Sequence, residues 1–185
     1  PPRPACRGRR RPAAMKPIRD LNAPPHIPGR VEDIVVRGSP RAPARRVAQT
    51  AALAGIGLAD DRLGQRGEAE LSTRQVTLIQ QEHLAVIAAL AHVDAVDALG
   101  LRRNLVVSGI NLVALKNARI RVGAALLEIV GPCQPCSRME ETIGPGGYAA
   151  MRGHGGMTAR VIEGGPIRVG DAVRAEPRAP EDAAR

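Results

Sequence analysis

The sequence predicts a mostly β domain, a closed or partly closed barrel or a sandwich, with a few short helices. Three observations carry that. Six to eight short strand-like runs recur along the chain, and turn signals rich in Gly, Pro and Asn separate them. Only one segment, residues 82–90, shows a clear helical stripe. No strand–helix–strand rhythm and no internal repeat is visible. The length of 185 residues fits one domain. Such a chain can bury a core without disulfides or a structural metal. The core must be aliphatic, because there is one tyrosine and no phenylalanine or tryptophan.

In order, residues 1–28 read as a basic, disordered tail. Residues 1–14 are rich in Pro, Arg and Gly and cannot bury enough to fold. They precede the first methionine, Met15, which points to a mis-set start or an upstream extension. Pro17, Pro24, Pro25 and Pro28 rule out a helix interior before Gly29. The domain is expected over 29–174. Residues 30–37 form its first strand, and 47–53 an edge strand or a helical turn. Residues 55–67, with four glycines and the pair Asp60 and Asp61, read as a solvated loop. Residues 74–80 are β-branched and bounded by polar residues, the best strand of the first half. Leu84, Ile87, Ala88 and Ala91 then make the helical stripe. A short helical piece over 93–100 stops at Gly100.

Extended structure restarts at residues 101–110. It continues through 112–115 to a turn at Lys116 and Asn117. Residues 118–123 and 124–130 are strands, the second nearly all apolar except Glu128. Gly131 and Pro132 break it. Residues 137–143 allow a helical turn or two, ended by Pro145, Gly146 and Gly147. Strands over 157–163 and 167–173 close the domain, and 175–185 read as a second disordered tail.

The net charge of +9 suggests a polyanion partner, but its distribution does not. Residues 1–46 hold 12 Lys or Arg against three acidic residues, and residues 47–185 hold 15 of each sign. The body therefore gives no general electrostatic reason to bind nucleic acid, and it lacks stacking aromatics. Three cysteines provide no disulfide framework, which favours a reducing, cytoplasmic compartment. No run of eighteen apolar residues occurs, so no membrane partner is expected.

Cys133 and Cys136 stand at the centre of the informative stretch, with an apolar strand before them and a glycine-dense loop after. Their C-x-x-C spacing alone allows a redox dithiol, half a zinc site or two inert thiols. Cys6, the third, lies in the N-terminal tail. Arg138, Arg152 and His154 place positive groups nearby. Such groups favour a thiolate or bind phosphate. Gly153, Gly155 and Gly156 suit backbone that approaches a ligand or takes positive φ. No nucleotide-binding glycine fingerprint, H-E-x-x-H or G-x-S-x-G motif is present. A soft thiolate beside arginines and backbone N–H donors suits a soft metal carried by a phosphorylated organic ligand.

The stretch from Asn104 to Val173 resembles the MOSC domain, named after the C-terminal part of molybdenum-cofactor sulfurases. It looks most like the small stand-alone bacterial, YiiM-like branch. The resemblance rests on R-N-L-V-V-S-G-I-N-L, R-V-G-A-A-L-L-E, the P-C before S-R-M-E, M-R-G-H-G-G-M-T-A-R-V and I-R-V-G-D-A-V. G-R-V-E-D-I-V-V-R and R-Q-V-T-L-I-Q-Q-E-H-L extend it back to residue 29. It implies a MOSC-type β-barrel and a molybdenum cofactor of the molybdopterin type. The family's proline–cysteine pair matches Pro135 and Cys136, which makes Cys136 the implied metal ligand. Cys133 stands where some relatives carry an arginine, and becomes a redox or sulfur partner or a small filler.

The branch implies a reductase of N-hydroxylated small molecules, hydroxylaminopurine-like or amidoxime, fed by a partner reductase. On residue type, His154 is then the proton donor. Arg138, Arg152, Asn104, Gly153, Gly155 and Gly156 are cofactor-binding candidates. The alternatives are a cysteine-persulfide sulfur carrier and a non-catalytic cofactor-binding module. Pyridoxal phosphate, associated with some full-length relatives, finds only Lys116 after residue 16, in a turn-like position. Oligomeric state is left open.

Overall fold

The computed structural model describes residues 27–39, 42–66 and 73–176. Most of the expected N-terminal tail, with Cys6, and all but the first two residues of the C-terminal one lie outside these. Eleven strands are present among the described residues: β1 (Gly29–Val36), β2 (Arg45–Arg46), β3 (Gln49–Leu53), β4 (Gly57–Leu58), β5 (Val76–Gln80), β6 (Leu105–Ser108), β7 (Arg119–Val122), β8 (Ala125–Pro132), β9 (Met157–Glu163), β10 (Gly165–Arg168) and β11 (Ala172–Ala175). Four helices join them: α1 (Arg62–Arg66), α2 (Gln81–Ala91), α3 (Arg138–Ile143) and α4 (Gly147–Met151). Two 3-10 turns occupy Ala98–Leu101 and Val113–Leu115.

Seven strands close on themselves in the order β11-β7-β8-β9-β5-β6-β1, because β1 pairs back with β11. The mostly β barrel expected from the sequence is the observed fold. A smaller sheet, β10-β3-β4, lies beside it. Every barrel pairing is antiparallel except β5 with β6. Parallel neighbours need a long crossover, and α2 with the turn after it supplies one. The sequence reading found no such unit, because only one exists.

Period-2 alternation sorts the side chains into two cores. Leu78, Leu105, Val107, Ile120, Leu127, Ile129 and Val173 fill the barrel. On the same strands Ile79 and Val106 point the other way, under Ile87, Leu101, Met139 and Met151 of the helical layer. Being covered on both faces explains why β5 reads as an almost continuous apolar run. Glu128, the exception in β8, faces out and pairs with Arg160 across the ladder at 2.8 Å.

Local differences from the sequence reading have physical causes. Residues 112–115 form a 3-10 turn rather than strand, because the Asn111 side chain accepts the N–H groups of Val113 (3.1 Å) and Ala114 (3.3 Å). Residues 167–173 are two strands, split at Gly170, where φ is +93°. The loop over 55–67 contains β4 and α1.

Candidate functional site

β8 carries the cysteines to the rim of the barrel. Its last ladder pair is Pro132 with Met157, after an irregularity between Ile129 and Gly131. The Cys133 N–H then donates to the Gly156 carbonyl at 2.8 Å, and the chain leaves the sheet. Pro135 is buried, and the Cys136 carbonyl accepts from Met139 N–H at 2.9 Å as α3 begins. Met139 is fully buried in the helical core and so anchors that end. Cys136 is thereby held exposed and Cys133 half-buried, both as free thiols.

The two cysteines line one cavity of about 380 Å³, together with the end of β1, the start of β5 and the segment before β6. Five arginines line it as well: Arg37, Arg62, Arg74, Arg102 and Arg103. Asp61 is the only acidic residue in the lining. It accepts the Arg37 backbone N–H at 2.7 Å and so ties β1 to α1. The Asp60 and Asp61 pair is therefore structural rather than solvated, since Asp60 accepts the Thr50 hydroxyl at 2.8 Å.

Arg102 and Arg103 serve opposite ends. Arg102 caps the 3-10 turn in the left-handed region, with φ +59°, a strained setting for a residue with a Cβ. It is exposed toward the cavity. Arg103 is only 5% exposed. Its guanidinium donates to the carbonyls of Gly155 (2.5 Å), Leu101 (3.0 Å) and Cys133 (3.1 Å). One side chain thus ties the cysteine segment to the glycine loop and to the turn before β6. Burial pulls the Arg103 pKa down, and the Cys133 and Cys136 thiols work against that. Burial pushes the Cys133 thiol up, opposed by Arg103 and Arg74. Burial also lowers Arg37, and the charges of Arg102, Arg62 and Arg138 press in the same direction. The Arg37 Nε is buried with no hydrogen-bond partner.

The other expected site residues are distributed unevenly. Asn104 lines the cavity, but its side chain is used by the fold. It accepts from Thr77 N–H (3.0 Å) and hydroxyl (2.9 Å) and donates to the Val35 carbonyl (3.2 Å). Gly155 and Gly156 are required by packing. A Cβ on Gly156 would lie 1.9 Å from the Leu78 carbonyl oxygen, and one on Gly155 2.8 Å from that of Cys133. Arg138 is exposed at the start of α3 and acts on Arg37 through its charge. Arg152 is exposed, and neither it nor Gly153 lines the cavity. The His154 ring meets His83 of α2 edge-on at 5.3 Å and is not in the lining either.

The arginine cluster escaped the sequence reading. Its members come from the ends of β1 and of the turn before β6, from α1 and from the segment before β5. Only barrel closure brings them together. The adjacent pair Arg102-Arg103 just before a strand was the one available signal.

The MOSC domain model matches residues 44–174, and the chain belongs to that family, a group linked to molybdenum-cofactor chemistry. No curated protein matches the chain. Among solved structures it is similar to the YuaD protein from Bacillus subtilis, at 17% identity and a TM-score of 0.71, covering 83% of this chain and 98% of that one. It is also similar to YiiM from Geobacillus stearothermophilus, at 19% identity and a TM-score of 0.65, covering 84% and 78%. For YiiM from Escherichia coli the values are 20%, 0.58, 81% and 71%. At these identities the likeness is one of fold. Among the described residues no helix is long and apolar enough to cross a membrane.

Proposed function

We propose that the arginine-lined cavity holds a molybdenum cofactor with Cys136 as the protein's ligand to the metal, and that the protein reduces N-hydroxylated small molecules with electrons from a partner reductase. The observation that carries this reading is the meeting of an exposed thiol and five guanidiniums in one cavity. The residues fit such a group. A buried Arg37 Nε lacks an acceptor, and a phosphate oxygen is the acceptor guanidinium prefers. Among the described residues no three His, Cys, Asp or Glu side chains gather around a metal position. A metal at Cys136 would then take one ligand from the protein and the others from the group that carries it.

When bound, the cofactor supplies two-electron redox chemistry at molybdenum. The chain supplies position and field. Cys136 anchors the metal, and Arg37 with its neighbours neutralises the anionic end. Arg103 fixes the Cys133 carbonyl and the glycine loop behind the thiols. Burial keeps Cys133 protonated near neutral pH, which separates its role from that of the exposed thiol. Arg138 belongs to the positive rim. Asn104, Gly155 and Gly156 act as scaffold. Arg152, Gly153 and His154 receive no part in binding, and proton delivery from His154 would have to come from the His83 side.

The test is elemental analysis of protein made in cells competent for cofactor synthesis and purified without oxygen. Near-stoichiometric molybdenum in the wild type, lost in Cys136→Ala, is expected, with turnover of a hydroxylaminopurine given a reductase. No molybdenum in either protein, with thiols intact, would sink the reading. The exposed free Cys136 thiol also fits sulfur carriage, and one added sulfur on Cys136 in molybdenum-free protein would favour that instead.

A further inference from the structure

The cavity carries more positive charge than one cofactor phosphate calls for. A phosphate monoester bears about two negative charges near neutral pH and is satisfied by two or three guanidinium contacts. Five arginines line the cavity against one carboxylate, and that carboxylate is engaged by the Arg37 backbone. Arg103 spends its donors on three carbonyls. On the wall away from the thiols, Arg37, Arg62 and Arg102 crowd together. Arg62, Arg102 and Arg138 all repel Arg37, and the Arg37 Nε is buried without an acceptor. Like charges held this close destabilise the folded chain unless an anion sits among them. Arg102 is held there at positive φ, a second unfavourable feature on the same wall.

We infer that Arg37, Arg62 and Arg102 form an oxyanion subsite for the substrate, so that the N-hydroxylated compound enters as a phosphomonoester, such as a nucleoside monophosphate, rather than as a free base. This rests on the cofactor reading above. It extends that reading by giving the substrate its own charged handle. A phosphate in the cavity has two possible sources, the cofactor and the substrate, and loading the cofactor first separates them.

The experiment is calorimetric titration of molybdenum-loaded and apo protein with adenosine monophosphate, adenosine and inorganic phosphate, with molybdenum content measured on each sample. Loaded protein is expected to bind the nucleotide at least about tenfold more tightly than the nucleoside. Arg62→Ala and Arg102→Gly should each weaken the nucleotide by about tenfold without lowering molybdenum content. Glycine keeps the positive φ of residue 102 without strain, so that variant reports on charge alone. Nucleotide binding that disappears on loading, or molybdenum lost from both variants, would assign the cluster to the cofactor and overturn the inference. Equal binding of nucleotide and nucleoside, or none of either, would overturn it as well. Failure of the cofactor reading shows separately, as wild-type protein without molybdenum. The nucleotide preference and its dependence on Arg62 and Arg102 are then read on that same sample and still decide whether the cluster is an oxyanion site.

Discussion

Gly153 and Gly156 have nearly the same backbone sign, with φ of +83° and +87°, yet the structure uses them differently. A Cβ on Gly153 would meet nothing within 4 Å, whereas one on Gly156 would lie 1.9 Å from the Leu78 carbonyl oxygen. Gly153→Ala should therefore cost only the left-handed conformation, about 1 kcal/mol. Gly156→Ala must also push the loop off β5, and should cost well over about 2 kcal/mol. Urea denaturation of the two variants checks this, and equal losses would mean that the close approach to β5 is not maintained in solution. The same displacement would move Cys133, whose N–H is bonded to the Gly156 carbonyl. The sequence marked this loop as special through its glycines alone. It did not distinguish backbone that approaches a ligand from backbone that approaches another strand, because both place the same demand on a residue. Cys136 was legible because a proline and a serine beside it force a turn at the end of an apolar strand. The guanidinium cluster was not, because no local pattern joins Arg37 to Arg102.

At the scale of elements, strands and the long helix were legible wherever period or β-branching was strong, as in β5 and α2. Short elements held by side-chain-to-backbone bonds were not. α4 follows Pro145, Gly146 and Gly147, which read as terminators. It forms because the Glu140 carboxylate accepts the N–H groups of Gly146 and Tyr148, both at 2.8 Å, across the break. Gly147 packs where a Cβ would strike the Met139 carbonyl at 2.5 Å. The 3-10 turn before β6 depends on a similar device. The Asp97 carboxylate accepts Leu99 N–H at 2.9 Å and pairs with Arg46, which also holds Asp33 at 2.6 Å. The Leu99 bond first, and Arg46 second, hold the Asp97 pKa below its usual value. A lowered carboxylate pKa contributes stability that is present above the unfolded value and lost as pH falls through the folded one. Asp97→Ala should cost about 1 kcal/mol at neutral pH, as a lost cap does. The gap to wild type should close below about pH 4, where the carboxylate is protonated in both states. Stability curves at several pH values test this, and a gap independent of pH would assign the loss to packing.

At the scale of the molecule, barrel closure makes both the core and the site, and it hangs on a short seam. β11 alone joins β7 to β1. Its register with β1 consists of Gly29 with Val173 and Arg30 with Ala172, continued by the Val31 N–H to the Asp171 carbonyl at 2.9 Å. So few ladder bonds cannot hold the seam without packing, because each contributes only about 1 kcal/mol net. Val173 supplies the packing: it is fully buried, opposite Gly29 on one side and Val122 on the other. The next residue, Arg174, is exposed on the outer face opposite Arg121. Val173→Ala should therefore destabilise by about 2 kcal/mol through lost burial and a residual cavity. Arg174→Ala should stay within about 0.5 kcal/mol, although it removes more atoms. The midpoint of denaturation should fall for the first at unchanged slope, since the barrel still unfolds as one unit. A lowered slope for Val173→Ala would mean instead that the seam opens before the rest. In that case the arginine wall, which β1 carries to the cavity, would separate from the thiols on β8 while most of the fold survived. Closure would then control the site directly, and loss of molybdenum from the variant would track opening of the seam rather than global unfolding.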